Sequence, residues 1–573
     1  MRKTQFRAVY ELKDVTAIGD SIPSTMDNMD FANESFLKQN AEFPNYGTLE
    51  KDFFYLDGSM PELPDEPEKI AFWTSGLSDE NGKFTENPVL ILLFTKQHTS
   101  PGLTFHFVGD WPLQMQIRYY DFEDNMIALE SYSPDCADYY ARGLVEDYGK
   151  IEINFQRTLP YRYVKLYGID YGVVITWDDR DIKKATLVEE TDPISNTLKV
   201  NKLTFWFVDE QNEFNPSNSG GLHKALQKNQ HIEPYELING EPHFLGRYFL
   251  KTPGNDKTTA KLEATDYIGL LDDTDFLDGR VYNGESAGAI LADIFSGTGI
   301  PYEVDEEIAE TKLYGHLKIQ NRRKALREVL FACGAAAETA RLEKVRIYKP
   351  GHVIQSYIGK DRKFSTTTTQ DEYISDVSIK FPVYSEGAEE KELLKETVYP
   401  AGENTVQFSD PVSDIRISVG TIVEAKANYL TFRLEEAASV TVYGKQYEKQ
   451  EITVTSSVGK LKAGKSKKVK SFTGTLFNYE QARKISQTIL DYYQLSLELS
   501  VRHLMQDESP GMWVDVENTL AGHGGYAAGI ESMSVDLTGG YISTTKLRGY
   551  YKYTAEYYRA EMELYAAEGS GIL

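Results

Sequence analysis

Runs in which aromatic or β-branched residues alternate with polar ones recur along the chain, and they constrain its fold more than any other feature. Leu103-Thr-Phe105-His-Phe107, Ile151-Glu-Ile153-Asn-Phe155, Leu203-Thr-Phe205-Trp-Phe207 and Ile452-Thr-Val454-Thr455 all keep a period of two. That period sends successive side chains to opposite faces of a sheet, so each run predicts a strand with one buried face. Polar turn clusters separate the runs, as at Asp79-Glu80-Asn81-Gly82 and between Asn215 and Gly221. Short strands between polar turns favour sandwiches and barrels over a parallel sheet. The expected class is mainly β with small α/β portions, an α+β fold.

Three helices interrupt the pattern. Ser286–Ser296 carries Ile290, Leu291, Ile294 and Phe295 on one stripe. Asn321 caps a helix reaching Cys333, with Leu326, Val329 and Leu330 inward and Gly334 as the stop. Asn478 and Gln481 have the spacing of a capping box, ahead of Ala482, Ile485, Ile489 and Tyr492.

A chain of 573 residues implies several domains. Composition breaks mark boundaries at Asp57–Glu68, at Tyr171–Lys184 and near Pro350–Arg362. The formal charge of −26 argues against a dedicated DNA-binding surface, which needs net positive charge to displace counterions. Cys136 and Cys333 are the only cysteines, so no disulfide framework is implied. The longest apolar run, Val89–Phe94, is far short of a membrane span, and Met-Arg-Lys-Thr-Gln-Phe-Arg lacks the core of a signal peptide. The expectation is a soluble chain made in a bacterial cytoplasm, without membrane insertion.

Several motifs invite chemistry, and each has a plainer reading. Gly459 to Ser466 fits the phosphate-binding pattern, with Gly464-Lys465-Ser466 at its end. That chemistry needs a helix after the glycine-rich turn, and Lys467-Lys-Val-Lys-Ser-Phe-Thr-Gly474 alternates instead, so a hairpin tip is expected. Residues 441–470 hold eight Lys and two Glu, a local charge of +6. This predicts a solvated loop, or a contact with an acidic neighbour or passing DNA. Gly284-Glu-Ser286-Ala-Gly288 fits a nucleophile elbow, but too short and polar a segment precedes it, so Ser286 is expected to cap the following helix. Asp272–Asp275 and Asp79–Asn81 have acids for Ca²⁺ but not the spacing of a known loop, so turns are expected. The nine His show no metal-ligand spacing, and His106 reads as structural or exposed. No catalytic residue, metal ligand or cofactor site is assigned.

Tyr46-Gly-Thr-Leu-Glu50, Leu56-Asp-Gly-Ser59 and Trp73 to Asp79 open a series of stretches that continues in order along the chain. Glu189 to Ser195 leads into Leu203; then come Ala264 to Asp272, Tyr282-Asn-Gly284, Arg323 to Ala335 and Lys344 to Pro350. Trp513-Val-Asp-Val516 and Ser532 to Gly540 close it. The series resembles the tail-hub proteins of phages and prophages of Gram-positive hosts. Between about Pro67 and Gly172 the chain is similar to discoidin-like jelly rolls, which often bind carbohydrate. Trp111, Tyr132, Tyr139 and Tyr140 are the candidate glycan-binding residues there, since aromatic faces stack on sugars.

The resemblance implies five parts. Residues 1–60 and 178–275 form a first hub β-barrel, interrupted by the jelly roll at 67–172. Residues 276–350 form a small α/β domain, 351–475 a second β-rich hub domain, and 476–573 a helix plus closing hairpins. It also implies a homotrimer at the distal end of a phage tail or tail-like particle, each subunit giving two barrels to a ring. The implied partners are distal-tail or baseplate ring proteins, the tape-measure protein, a spike or fibre, DNA in transit, and host cell-wall polysaccharide. The competing class is a cell-wall-degrading hydrolase with a carbohydrate-binding module; the space left after the closing hairpins argues against it.

Overall fold

The computed structural model describes residues 4–26, 30–32, 48, 50, 71–215, 217–218, 222, 230–256, 258–462, 464–495, 497–517 and 525–552. Most of the Tyr46–Ser59 series and the Asp57–Glu68 linker lie outside the described residues. The protein is mainly β, as the alternation predicts, with helices confined to a few places.

One 14-stranded sheet dominates. Its first half uses β1 (Thr4–Lys13), β2 (Gly172–Trp177), β3 (Ile182–Glu190), β4 (Lys202–Val208), β5 (His231–Ile238), β6 (Tyr248–Asp256) and β7 (Thr259–Thr265). Across the sheet they run β2-β1-β5-β6-β7-β4-β3, and the fourteenth strand, Glu241–Phe244, pairs with β5 off this path. Its second half uses β8 (Ile354–Ile358), β9 (Lys363–Gln370), β10 (Leu497–Leu504), β11 (Trp513–Glu517), β12 (Gly525–Asp536) and β13 (Ile542–Lys552). These run β8-β11-β12-β13-β10-β9.

Both halves must curl. Seven strands laid flat at about 4.8 Å spacing would put the end strands roughly 29 Å apart, whereas the chain from Trp177 to Ile182 reaches at most about 18 Å. The same argument applies from Ile358 to Lys363 in the second half. One apolar core fills the curl of both, including Phe6, Leu187, Leu203, Phe205 and Leu262 from the first and Val501, Val514, Ile530 and Leu547 from the second.

The remaining chain forms attached modules. Residues 22–25, 31–32 and 72–170 build a separate eight-stranded antiparallel sheet with its own core, inserted between β1 and β2. The apolar run Val89–Phe94 and the alternating run Leu103–Phe107 are two ends of one strand, Val89–Phe107, whose register shifts around His98, Ser100 and Gly102. Helices α1 (Ala287–Phe295), α2 (Arg322–Cys333) and α3 (Tyr479–Gln494) share another core with the sheet of Asp376–Ser385, Glu448–Ser457 and Val469–Thr473. Residues 390–446 carry two three-stranded sheets around Leu430, Phe432, Val440 and Val442.

The sheet memberships differ from the boundaries read in the sequence. Residues 22–25 and 31–32 pair with the insertion, and 172–177 with the first half of the large sheet. Of 351–475, only 354–358 and 363–370 join the large sheet, and their partners come from 497–552. Alternation tells that a segment is a strand but not which sheet receives it.

Candidate functional site

The two halves of the large sheet meet where β3 pairs antiparallel with β12, from Thr186↔Asp536 to Glu190↔Ser532. Thr191 N–H donates to Glu531 O at 2.8 Å and Leu537 N–H to Ala185 O at 3.0 Å, so the ladder runs past both ends of that register. Leu187 and Val535, opposite each other, are fully buried. Glu189 lies beneath this joint, and Arg341 Nη2 reaches its Oε2 at 3.1 Å. Burial pushes the Glu189 carboxyl above its usual range, and Arg341 partly offsets this.

A second ion cluster pins α3 to the sheet. Arg548 on β13 bonds Asp371 at 2.8 Å and Glu531 at 3.1 Å, pairs with Glu498, and stacks on Tyr492 of α3 at 5.1 Å. At the open seam of the second half, buried Arg362 holds buried Glu508 at 2.5 Å and donates to Leu504 O at 3.0 Å. Glu508 also accepts from Ser356 Oγ and Gln506 N–H, each at 2.8 Å.

The insertion is tied down where the chain enters and leaves it. His98 lies between Asp14 (2.8 Å) and Asp20 (3.0 Å). His106 lies between Asp138 (2.7 Å) and Asp170 (3.0 Å), and Lys13 reaches Asp170 at 2.7 Å. Asp14 directly follows β1 and Asp170 directly precedes Tyr171 and β2, so these contacts straddle both crossings. His106 is therefore held in place by acids. No spacing rule could have found these contacts, because their partners lie 32 to 84 residues apart.

The four candidate sugar-binding aromatics do not share one surface. Trp111, Tyr132 and Tyr139 pack half-buried against the insertion's core. Tyr132 and Tyr139 meet edge to face at 6.4 Å, and Tyr132 OH donates to Arg142 O at 3.0 Å. Burial pushes the Tyr132 phenol up to about 12. Tyr140, next along the strand, falls on the opposite face and donates to Pro101 O at 2.8 Å.

The other motifs resolve into structure. Ser286 caps α1, its Oγ accepting Ala289 N–H at 3.4 Å, and it ends a short antiparallel strand rather than a buried parallel one. The described residues of this segment, 458–462 and 464–468, do not form a hairpin tip. The flanking strands lie on opposite sides of Asp376–Ser385, one antiparallel and one parallel, so the lysine-rich segment crosses over that strand. No helix follows Lys465. Lys467 pairs with Asp376 at 3.2 Å and Lys468 with Glu372, which meets part of the local charge. Asp272 pairs with Arg323 and Asp273 with Lys251 at 2.9 Å, while Asp79 accepts the N–H groups of Asn81 and Lys83. These acids serve ion pairs and turns. Among the described residues no His, Cys, Asp or Glu group is arranged to hold a metal ion.

No protein-family model matches the chain, and no curated protein sequence matches it. Among solved structures it is similar to a 43 kDa tail protein of prophage MuSo2 from Shewanella oneidensis, at 10% identity and a TM-score of 0.39, over 65% of this chain and 95% of that one. A tail protein from Neisseria meningitidis aligns at 11% identity and 0.40, over 65% and 93%. Prophage tail protein gp18 from Listeria monocytogenes aligns at 9% identity and 0.37, over 77% and 95%.

Proposed function

We propose that this protein is a structural hub at the distal end of a phage tail or tail-like particle, a homotrimer whose subunits each contribute two β-modules to a ring. The observation that carries this reading is the joint of β3 with β12, which sets two curled β-modules side by side in one chain. Such a unit suits a ring that continues a tube of smaller subunits, since each chain fills two places. The ordered series of hub-like stretches supports the same reading.

In that ring the neighbours are a distal-tail or baseplate ring, the tape-measure protein, and a spike or fibre. DNA passes through the bore, and a chain of formal charge −26 suits a channel that DNA must not stick to. The insertion, read as a discoidin-like jelly roll, sits on the outside and offers the half-exposed pair Tyr132 and Tyr139 to host wall polysaccharide; Tyr140, on the opposite face, stays out of that surface. The protein has no catalytic role in this reading.

Solution mass together with negative-stain images tests the hub. A mass of three chains and a ring with a central hole is expected; a monomer at every concentration overturns it. A glycan array with the full chain and its Tyr139→Ala variant tests the insertion. Binding that the variant loses is expected, and no binding to wall polysaccharide leaves the insertion a scaffold.

A further inference from the structure

The two halves of the large sheet are the same fold used twice. In chain order β2, β3, β4, β5, β6 and β7 correspond to β8, β9, β10, β11, β12 and β13, and their places across the sheet agree. The first half adds the short strand Glu241–Phe244, paired to β5, and β1, inserted between β2 and β5. β1 pairs antiparallel with both, so β2 and β5 are parallel, as are β8 and β11.

The correspondence holds at single-residue level. β3 and β4 shift register at Ile182/Lys184, and β9 and β10 at Lys363/Ser365. β6 and β7 shift at Leu250/Thr252, and β12 and β13 at Ile530/Ser532. Bulges are specific local devices, so two of them at matching places fix the alignment. The row Leu250-Ala264-Leu203-Leu187 then matches Ile530-Leu547-Leu499-Thr368.

The two copies also differ in how one edge strand is used. β3 uses both edges, pairing with β4 and β12, whereas its counterpart β9 pairs with β10 alone among the described strands. Leu187 is fully buried, and its counterpart Thr368 is exposed. From Phe364 to Gln370 the edge carries no charge, although open edges are ordinarily guarded by one. The partner of β3 is the second part of β12, whose counterpart is the second part of β6. From Thr252 to Asp256 that part pairs only with β7 among the described strands.

We infer that β9 of one copy adds to β6 of the next, repeating between chains the joint that β3 and β12 make within one. The alignment sets the register: Thr367 opposite Asp256, Thr368 opposite Asn255, Thr369 opposite Gly254 and Gln370 opposite Pro253 of the second copy. This is strand addition with a second copy as the occupant, and the established β3–β12 joint is its template. It rests on the ring reading above and names the surface that closes the ring. A heterologous contact repeated at one angle either closes or runs on as a filament.

Pro253 has no N–H to give, so this ladder is one donor short of its template. Proline on an open strand edge also blocks unwanted pairing before assembly.

The test is cysteine pairing in the full chain with Cys136 replaced by Ser. Thr369→Cys with Gly254→Cys places two sulfurs opposite each other across an antiparallel pair, within disulfide reach. Gly254 has space for a side chain, the nearest atom to an added Cβ being Lys261 Cβ at 3.9 Å. Under mild oxidation, covalent multimers on a non-reducing gel are expected, with little linkage in the shifted pair Thr369→Cys and Asn255→Cys. Hydrogen exchange on the unmodified protein checks the same joint: amides of 366–370, 252 and 254–256 should slow about tenfold or more on assembly. A trimer without this linkage or protection overturns the joint and leaves the hub reading standing. A monomer at all concentrations overturns both.

Discussion

His106 Nε2 lies 3.0 Å from Asp170 Oδ2, so a histidine of the insertion grips the last acid before the chain returns to the large sheet. Its Nδ1 faces Asp138 Oδ1 at 2.7 Å. A ring with a carboxylate at each nitrogen donates to both only when doubly protonated.

This geometry gives a pH dependence with a definite sign. The bond to Asp170 raises the His106 pKa above its ordinary value; burial opposes this and the bond to Asp138 adds to it. A histidine with a raised folded pKa stabilises fully below its unfolded value of about 6.5 and loses that contribution as pH rises through the folded value. Thermal unfolding should therefore show stability falling as pH rises above about 6.5. His106→Gln should cost about 1–2 kcal/mol at low pH and flatten this slope. An unchanged slope in the variant would assign the dependence elsewhere.

Arg362 and Glu508 are both buried, so removing one strands the other. Arg362→Ala should cost about 3–5 kcal/mol in denaturant unfolding. Burial alone would push the Glu508 carboxyl up, but bonds from Arg362, Gln506 N–H and Ser356 outweigh it and hold the pKa at about 2. A carboxylate held down in the folded state stabilises above its unfolded value, near 4.3, and the contribution fades as pH falls towards about 2. The acid limb of the stability curve should flatten in Glu508→Gln.

Leu326 on α2 is fully enclosed by the helical core. Leu326→Ala should destabilise by about 2–5 kcal/mol, through lost burial plus the cavity left behind. A calorimetric loss below about 1 kcal/mol would mean that the site collapses around the deletion.

Ser286→Ala separates a cap from a nucleophile. Its bond to Ala289 N–H is long at 3.4 Å, so a loss of about 0.5–1 kcal/mol is expected. Cell-wall digestion assays should give the same result for both proteins; activity abolished by this change would reinstate the hydrolase.

What could be read from the chain was local. Asn321 and Gly334 bracket α2 as expected: Asn321 Oδ1 accepts Lys324 N–H, and Gly334 adopts the left-handed φ of +60° that ends the helix. Asn478 caps α3 as expected, but Gln481 turns its amide to Ala332 O on α2 instead of completing the box. That choice depends on a neighbour more than a hundred residues away. The repeated fold was hidden for a similar reason. Leu187 and Thr368 occupy one place in the two copies, and so do Phe205 and Val501. Register and bulges were kept while the side chains diverged, and pairing geometry leaves little trace in composition. Trp111, Tyr132 and Tyr139 show the converse. Aromatic alternation marks a strand, but it does not distinguish a core ring from a sugar platform.

The detour between β9 and β10 sets a timetable for synthesis. Thr366 leaves the ribosome long before Val501, its ladder partner, and at about 5–20 residues per second the wait is roughly 7–27 s. For that interval a strand uncharged from Phe364 to Gln370 waits with neither edge occupied, so nascent chains crowded on one message are where mispairing between neighbours would begin.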